Sequence, residues 1–205
     1  MSAEIHAFIQ ARMSSRRFPG KVLAPFRGRP IIWHVLDRVA RALPDVTRVV
    51  VTSTDASDDP LAAYLMSLGT RCFRGPLDDV FERFRYAARA HSASWMLRIC
   101  ADSPLLDARV LTAVTGALDP TLDLITTTAP RTFPKGHNAE LINGATFSTI
   151  DASELDDEDR EHVTRFLHKN PQRFKIRNVE SGDPTLAAQE LAVDTIEDLQ
   201  RLERT

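Results

Sequence analysis

The sequence predicts an α/β protein with a mostly parallel sheet covered by helices on both faces. Two observations carry that expectation. Strand-sized apolar runs recur at residues 5–9, 47–52, 95–99 and 122–126, and most of the intervening segments return apolar residues at helical spacing. Composition agrees: of 205 residues, 43% are hydrophobic and 26% charged, a balance that can bury a core and fits neither disorder nor a repeat fibre.

Each element can be justified in turn. Ile5-His-Ala-Phe-Ile9 reads as the first strand and leads into a basic loop, Gln10 to Lys21. Pro30 stands where a first helical turn tolerates it, ahead of Ile31, Ile32, Val35, Leu36, Val39 and Leu43. After the strand at 47–52, a second helix has Pro60 near its start, Leu61 and Leu65 inside, and Gly69 as its stop. Leu77, Val80, Phe81 and Phe84 suggest a third helix; Val110, Leu111, Val114 and Leu118 suggest a fourth. Beyond Pro130 the rhythm breaks into Pro130-Arg-Thr-Phe-Pro-Lys-Gly136, short apolar pieces and an acidic helix start. Residues 128–170 are therefore expected to be a substrate or dimer insertion within one domain spanning 1–205. Leu191-Ala-Val193 reads as a last strand, followed by Asp194 and a Thr195-Ile-Glu-Asp198 capping box that opens a helix through Leu199 and Leu202.

Several classes are disfavoured. The apolar runs fall far short of the roughly 20 residues of a membrane-spanning helix, and no leader pattern precedes Ile5. Cys72 and Cys100 give neither a disulfide framework nor CxxC spacing; both are expected to fill core, in a reducing cytoplasm. A net charge of -2 argues against nonspecific nucleic-acid binding. Seven carboxylates between Asp151 and Glu161, opposed by Arg160 alone, read as a solvated turn and helix start.

Chemistry concentrates at three strand ends, where open parallel sheets bind ligands. In the loop after Ile9, Gly20 allows close backbone approach, Pro19 stiffens the turn, and Arg12, Arg16, Arg17 and Lys21 supply donors suited to phosphate. Like charges about 4 Å apart repel by roughly 1 kcal/mol in water and about 4 kcal/mol at an effective dielectric near 20. Four cations in twelve residues therefore need an anion or full solvation. The loop is not a Walker A motif, since Lys21 is followed by Val22 and no glycine stands at the required spacing, and no GxGxxG exists. The other two features are Arg98-Ile-Cys-Ala-Asp102-Ser-Pro104 and Leu191-Ala-Val-Asp194. Each aspartate alone has an ordinary alternative as a helix cap. Together with the basic loop they are what a Mg2+-bound triphosphate requires, because Mg2+ takes one or two carboxylates plus phosphate oxygens and water.

These stretches, in order, with Arg74-Gly-Pro-Leu-Asp-Asp-Val80, Arg160-Glu-His-Val-Thr164 and Val193-Asp-Thr-Ile-Glu-Asp198, resemble the bacterial cytidylyltransferases that activate acidic sugars. That family includes the CMP-Kdo synthetases, the acylneuraminate cytidylyltransferases and the SpsF-like spore-coat polysaccharide proteins. The resemblance implies a three-layer fold of the nucleotide-diphospho-sugar transferase type, commonly a homodimer. It implies CTP as donor, Mg2+ as cofactor and an acidic sugar or similar small molecule as acceptor, with pyrophosphate released. It also implies roles: Arg12, Ser15, Arg17 and Lys21 on the triphosphate, Arg74 and Asp79 on base or ribose, and Asp102 and Asp194 on the metal, with Arg12, Lys21 and Asp102 as the catalytic set. Gly136, Glu140 and His162 would border the acceptor, His162 being weighed against a structural role.

The chain departs from the family at two places. Ser14 stands where glycine is usual, and Pro134-Lys-Gly-His-Asn-Ala-Glu140 replaces a common Pro-x-Gly-Leu-Asp-Val-Glu, so His137, Asn138 and Ala139 do not match. His6, His34, His91 and His168 show no zinc-ligand spacing. Two other readings stay open: a nucleotidyltransferase with another triphosphate or a phosphorylated or phosphonate acceptor, and a catalytically silent homodimeric binding module.

Overall fold

The apolar run after Glu4 forms strand β1 (Ile5–Gln10), whose side chains divide between two faces: Ala7 and Ile9 enter one core cluster, Phe8 the other. This period of two recurs along the sheet. Val50, Leu97, Ile125 and Leu141 face the first cluster; Val49, Val51, Met96, Leu124 and Ile142 face the second. A sheet apolar on both sides must be covered on both.

The computed structural model describes residues 4–205. After β1 come the two-residue strands β2 (Pro25–Phe26) and β3 (Arg29–Pro30), then α1 (Ile31–Ala42), β4 (Thr47–Ser53), α2 (Asp59–Ser67), β5 (Arg71–Gly75) and α3 (Val80–Ala90). β6 (Trp95–Cys100), α4 (Ala108–Gly116), β7 (Leu124–Thr126), β8 (Glu140–Asn143) and α5 (Gly144–Thr149) follow. The remainder is α6 (Asp157–Glu161), α7 (Arg165–Lys169), β9 (Ile176–Asn178) and α8 (Ile196–Glu203). The main sheet runs β5-β4-β1-β6-β8-β7-β9, parallel except for β8, which is antiparallel to both neighbours. Helices α1, α2 and α4 cover one face; α3, α5 and α7 cover the other. This is the expected three-layer α/β arrangement.

Chain order reverses at β1: β4 pairs on one side of it and β6 on the other. The loops leaving β1 and β6 therefore diverge side by side from paired residues Gln10 and Cys100, opening a crevice at the switch point.

Differences from the sequence expectation have local causes. Leu191-Ala-Val193 is not a strand of the sheet. It is an extended segment whose Leu191 and Val193 amides donate to the Lys135 carbonyl at 2.7 Å and the Asp102 carbonyl at 2.8 Å, while Val193 packs with Phe26, Ile31 and Leu202. Asp194 thus follows a strap laid across the crevice, not a strand end. Leu77 lies in the turn before α3, which starts at Val80 with Asp79 as its cap. In the main sheet three strands had no signal of their own, β5, β8 and β9, each five residues or fewer. The 128–170 segment is woven into the sheet, because β8 pairs with both β6 and β7, and its helices help cover the second face. The Thr195–Asp198 capping box forms as expected. No helix of the described residues is long and apolar enough to cross a membrane.

Candidate active site

The basic loop leaves β1 at Ala11, and its fold depends on the Met13 peptide. The Met13 amide donates to Asp58 Oδ1 at 2.7 Å, and the Met13 carbonyl accepts the Gly20 amide at 2.8 Å. Gly20 has φ 75°, which closes the loop in a conformation that L side chains rarely adopt. Asp58 is itself fully buried. Its other oxygen accepts from Thr52 Oγ1, the Ser53 amide and Ser53 Oγ, and although burial works against ionisation, these bonds and the one from Met13 hold its carboxyl below the usual range.

Lys21 is placed by the short 3-10 turn it begins. Its ammonium donates to Asp102 Oδ2 at 2.8 Å, to the Val193 carbonyl at 2.9 Å and to Asp194 Oδ1 at 3.1 Å. The other oxygen of Asp194 meets Arg17 at 2.9 Å and Lys135 at 3.1 Å. Burial opposes the charge on Asp194, but hydrogen bonds from Lys135 and Lys21 hold its carboxyl below the usual range. Neither aspartate serves as a helix cap: Asp107 caps α4 and Thr195 caps α8.

Around this cluster opens a recess of about 390 Å3 lined by Arg12, Ser15, Arg16, Arg17, Lys21, Asp102 and Asp194. It adjoins two others. Arg12, Arg16 and Glu161 are shared with a recess of about 460 Å3 that Ser14, Asp79 and Arg160 also line. Cys100 and His162 are shared with one of about 400 Å3 over Arg98, Arg131, Asn138 and Glu140. Cys100 is therefore a wall residue, not core filling, since the face of β6 that Met96 buries opens into the crevice two turns of the pleat later. Burial pushes its thiol pKa up.

The remaining residues singled out in the sequence fall differently. Asp79 caps α3, accepting from the Glu82 amide at 2.8 Å, and pairs with Arg160 at 2.6 Å. Arg74 is held on the loop after β4 by the Ser53 and Asp55 carbonyls and by Asp59, and lines none of the three recesses. Gly136 lines none either. A Cβ there would lie 2.7 Å from the Ala192 amide nitrogen, so its bareness lets two backbones stack. Glu140 is buried, with Arg98 at 2.5 Å and Thr164, Thr126 and His168 at 2.9, 3.2 and 3.2 Å. Burial opposes its charge, yet His168 and Arg98 bring the pKa down to about 2. His137 is turned away, with Nε2 2.9 Å from the Leu105 carbonyl.

Asp58, Arg98, Arg131, Lys135, Glu161 and His168 were not assigned roles from sequence. Arg98 alone carried a signal, a charge inside a buried strand. No group of three or more His, Cys, Asp or Glu among the described residues is arranged to hold a metal alone. Asp102 and Asp194 nevertheless present two hard oxygen donors on one spot, a set that suits Mg2+ completed by phosphate oxygens and water.

A family model described as cytidylyltransferase matches residues 6–204. The chain is 30% identical to the spore coat polysaccharide biosynthesis protein SpsF of Bacillus subtilis (strain 168), over 97% of this chain and 85% of that protein. It is also 30% identical to the 3-deoxy-manno-octulosonate cytidylyltransferase of Anaeromyxobacter sp. (strain K), over 72% of this chain and 61% of that one. Among solved structures, a cytidylyltransferase from Leptospira borgpetersenii serovar Hardjo-bovis (strain JB197) superposes with a TM-score of 0.92 at 27% identity, covering 98% of this chain and 85% of that one.

Proposed function

The chain belongs to the cytidylyltransferase family, and from that premise we propose that it transfers CMP from CTP to an acidic sugar or similar small acceptor and releases pyrophosphate. The observation that carries this reading is the convergence of Arg12, Arg17 and Lys21 with Asp102 and Asp194 on one recess, next to a second recess reached past Cys100 and His162. The triphosphate takes the first recess and the acceptor the second. The Anaeromyxobacter relative, a 3-deoxy-manno-octulosonate cytidylyltransferase, favours a sugar acid as acceptor.

In the reaction, an acceptor oxygen forms a bond to the α-phosphorus while the bond from that phosphorus to pyrophosphate breaks in line, and the acceptor hydroxyl gives up its proton to water. Arg12 and Arg17 bind the phosphates as forked donors. Lys21 neutralises negative charge beside the leaving pyrophosphate, where a preorganised cation acts most strongly. Asp102 and Asp194 would hold Mg2+, which supplies charge neutralisation at the phosphates when bound. Asp79 on the adjoining recess takes a base or ribose contact; Arg74, in β5 with its side chain held by the loop after β4, would need to leave Asp59 to do so. Assembly as a homodimer belongs to the same proposal, and light scattering tests it.

The decisive experiment is incubation with CTP, Mg2+ and a panel of sugar acids, followed by pyrophosphate detection. Turnover with CTP and at least one acid is expected. Turnover with ATP or UTP but not CTP would overturn the nucleotide assignment, and near-normal release from Asp102→Asn would overturn the metal assignment.

A further inference from the structure

The recess assigned to the acceptor holds cations of two kinds. Arg98 is matched by Glu140. Arg165 turns to Asp156, Asp159 and Glu158. Arg131 forms no salt bridge among the described residues; its Nη1 donates to the amide oxygen of Asn138. The one carboxylate lining this recess, Glu140, already accepts from Arg98 and Thr164 on one oxygen and lies within bonding distance of Thr126 and His168 on the other. Two oxygens with about four lone-pair sites have no capacity left. What the recess still offers is donors: the remaining guanidinium N–H groups of Arg131, and the amide NH2 of Asn138, whose oxygen is turned to the arginine. A half-buried guanidinium without a counter-charge, beside a spare amide donor, is matched by an oxyanion.

We propose that Arg131 and Asn138 together read an oxyanion on the acceptor, carboxylate or phosphate, and that the neutral amide at 138 is what keeps Arg131 free to do so. The identification of that ligand as the acceptor rests on the cytidylyltransferase reading; the charge argument does not. A carboxylate at 138 would meet Arg131 where the amide oxygen now does, form an internal pair and repel the incoming anion.

The test uses the full chain and three probes, glucuronate, glucose 6-phosphate and glucose, with binding followed by saturation-transfer NMR and titration calorimetry. Wild type should bind at least one acidic probe and not glucose, and the preferred probe tells carboxylate from phosphate. Asn138→Asp, nearly isosteric, and Arg131→Gln should each weaken that binding tenfold or more, with melting temperatures showing that both remain folded. Equal binding of glucose and the acids, no binding of either acid, or undiminished acid binding by Asn138→Asp would each overturn the proposal. CTP affinity is read in parallel on the same samples. Loss of acid binding in the variants, with no CTP binding by wild type, would sink the nucleotidyl reading and leave the anion pair standing.

Discussion

Each N–H of the Lys21 ammonium has a different acceptor, two of them the carboxylates of Asp102 and Asp194. Lys21→Ala leaves those carboxylates facing one another across the recess and removes the cation proposed to act beside the phosphates. Loss of one preorganised charge of this kind costs about 100-fold or more in turnover. Pyrophosphate release by Lys21→Ala should fall by at least that much while circular dichroism stays native; a fall below tenfold would remove Lys21 from the catalytic set. Glu140 makes a separate prediction. Its folded pKa, about 2, is depressed from an ordinary 4.5, so its contribution to stability is fully present above about pH 4.5 and is lost as pH falls toward 2. Glu140→Gln should therefore lose part of the acid limb of the stability curve. It should also destabilise at neutral pH, by at most roughly 3–5 kcal/mol, because Arg98, whose side chain is 18% exposed, is left without its counter-charge. Chemical denaturation at pH 3 and pH 7 reads both. The loop cations were legible in the sequence because four of them crowd an acid-free stretch, whereas Asp58 was not, because it is one of several carboxylates in Asp55-Ala-Ser-Asp-Asp59 and only burial distinguishes it.

At the scale of elements, the basic loop is tied to the sheet through Asp58. In Asp58→Asn the amide oxygen serves best on the side of the three donors from Thr52 and Ser53, which turns NH2 toward the Met13 amide, donor against donor. The loop tie is then the bond lost, at about 1–3 kcal/mol for an unsatisfied buried group. Asp58→Asn should weaken CTP binding tenfold or more. Thr52→Val, which removes another bond to Asp58 and leaves the loop tie intact, should lower the melting temperature without changing CTP affinity. Equal CTP affinity in wild type and Asp58→Asn would show that the loop does not need this tie. The elements that escaped the sequence share one property, brevity. β8 and β9, four and three residues long, lack enough positions for a period to show, and β8 exists because β6 and β7 offer edges on both sides. Leu191-Ala-Val193 has strand-like composition, but its amides find Lys135 and Asp102 before any sheet edge.

For the whole molecule, a ligand that binds only the folded state at about 100 times its dissociation constant stabilises by about 2.7 kcal/mol. In a chain of this size that is a rise of roughly 5–10 °C in melting temperature. CTP with Mg2+ should produce it, and Asp102→Asn with Asp194→Asn should reduce it toward the value for CTP with EDTA; a wild-type shift indifferent to EDTA would argue against metal-assisted binding. The loops after β1 and β6 open the crevice at the switch point, so ligands held in the recess around Lys21 and in the one over Arg98 would meet near His162 and Cys100, which line both.

The sequence by itself determined the α/β layering, the crowding of cations in the loop after β1 and the two aspartates that follow short apolar runs, because periodicity, local charge density and short motifs are properties of neighbours along the chain. Only the tertiary structure decided which of these act together. It brought Lys21 between Asp102 and Asp194 across separations of 81 and 173 residues, held Arg74 away from the recess, turned Gly136 into a backbone contact and left Arg131 without a counter-charge. Those outcomes depend on burial and on which charges find partners, and neither is set until the strands have paired.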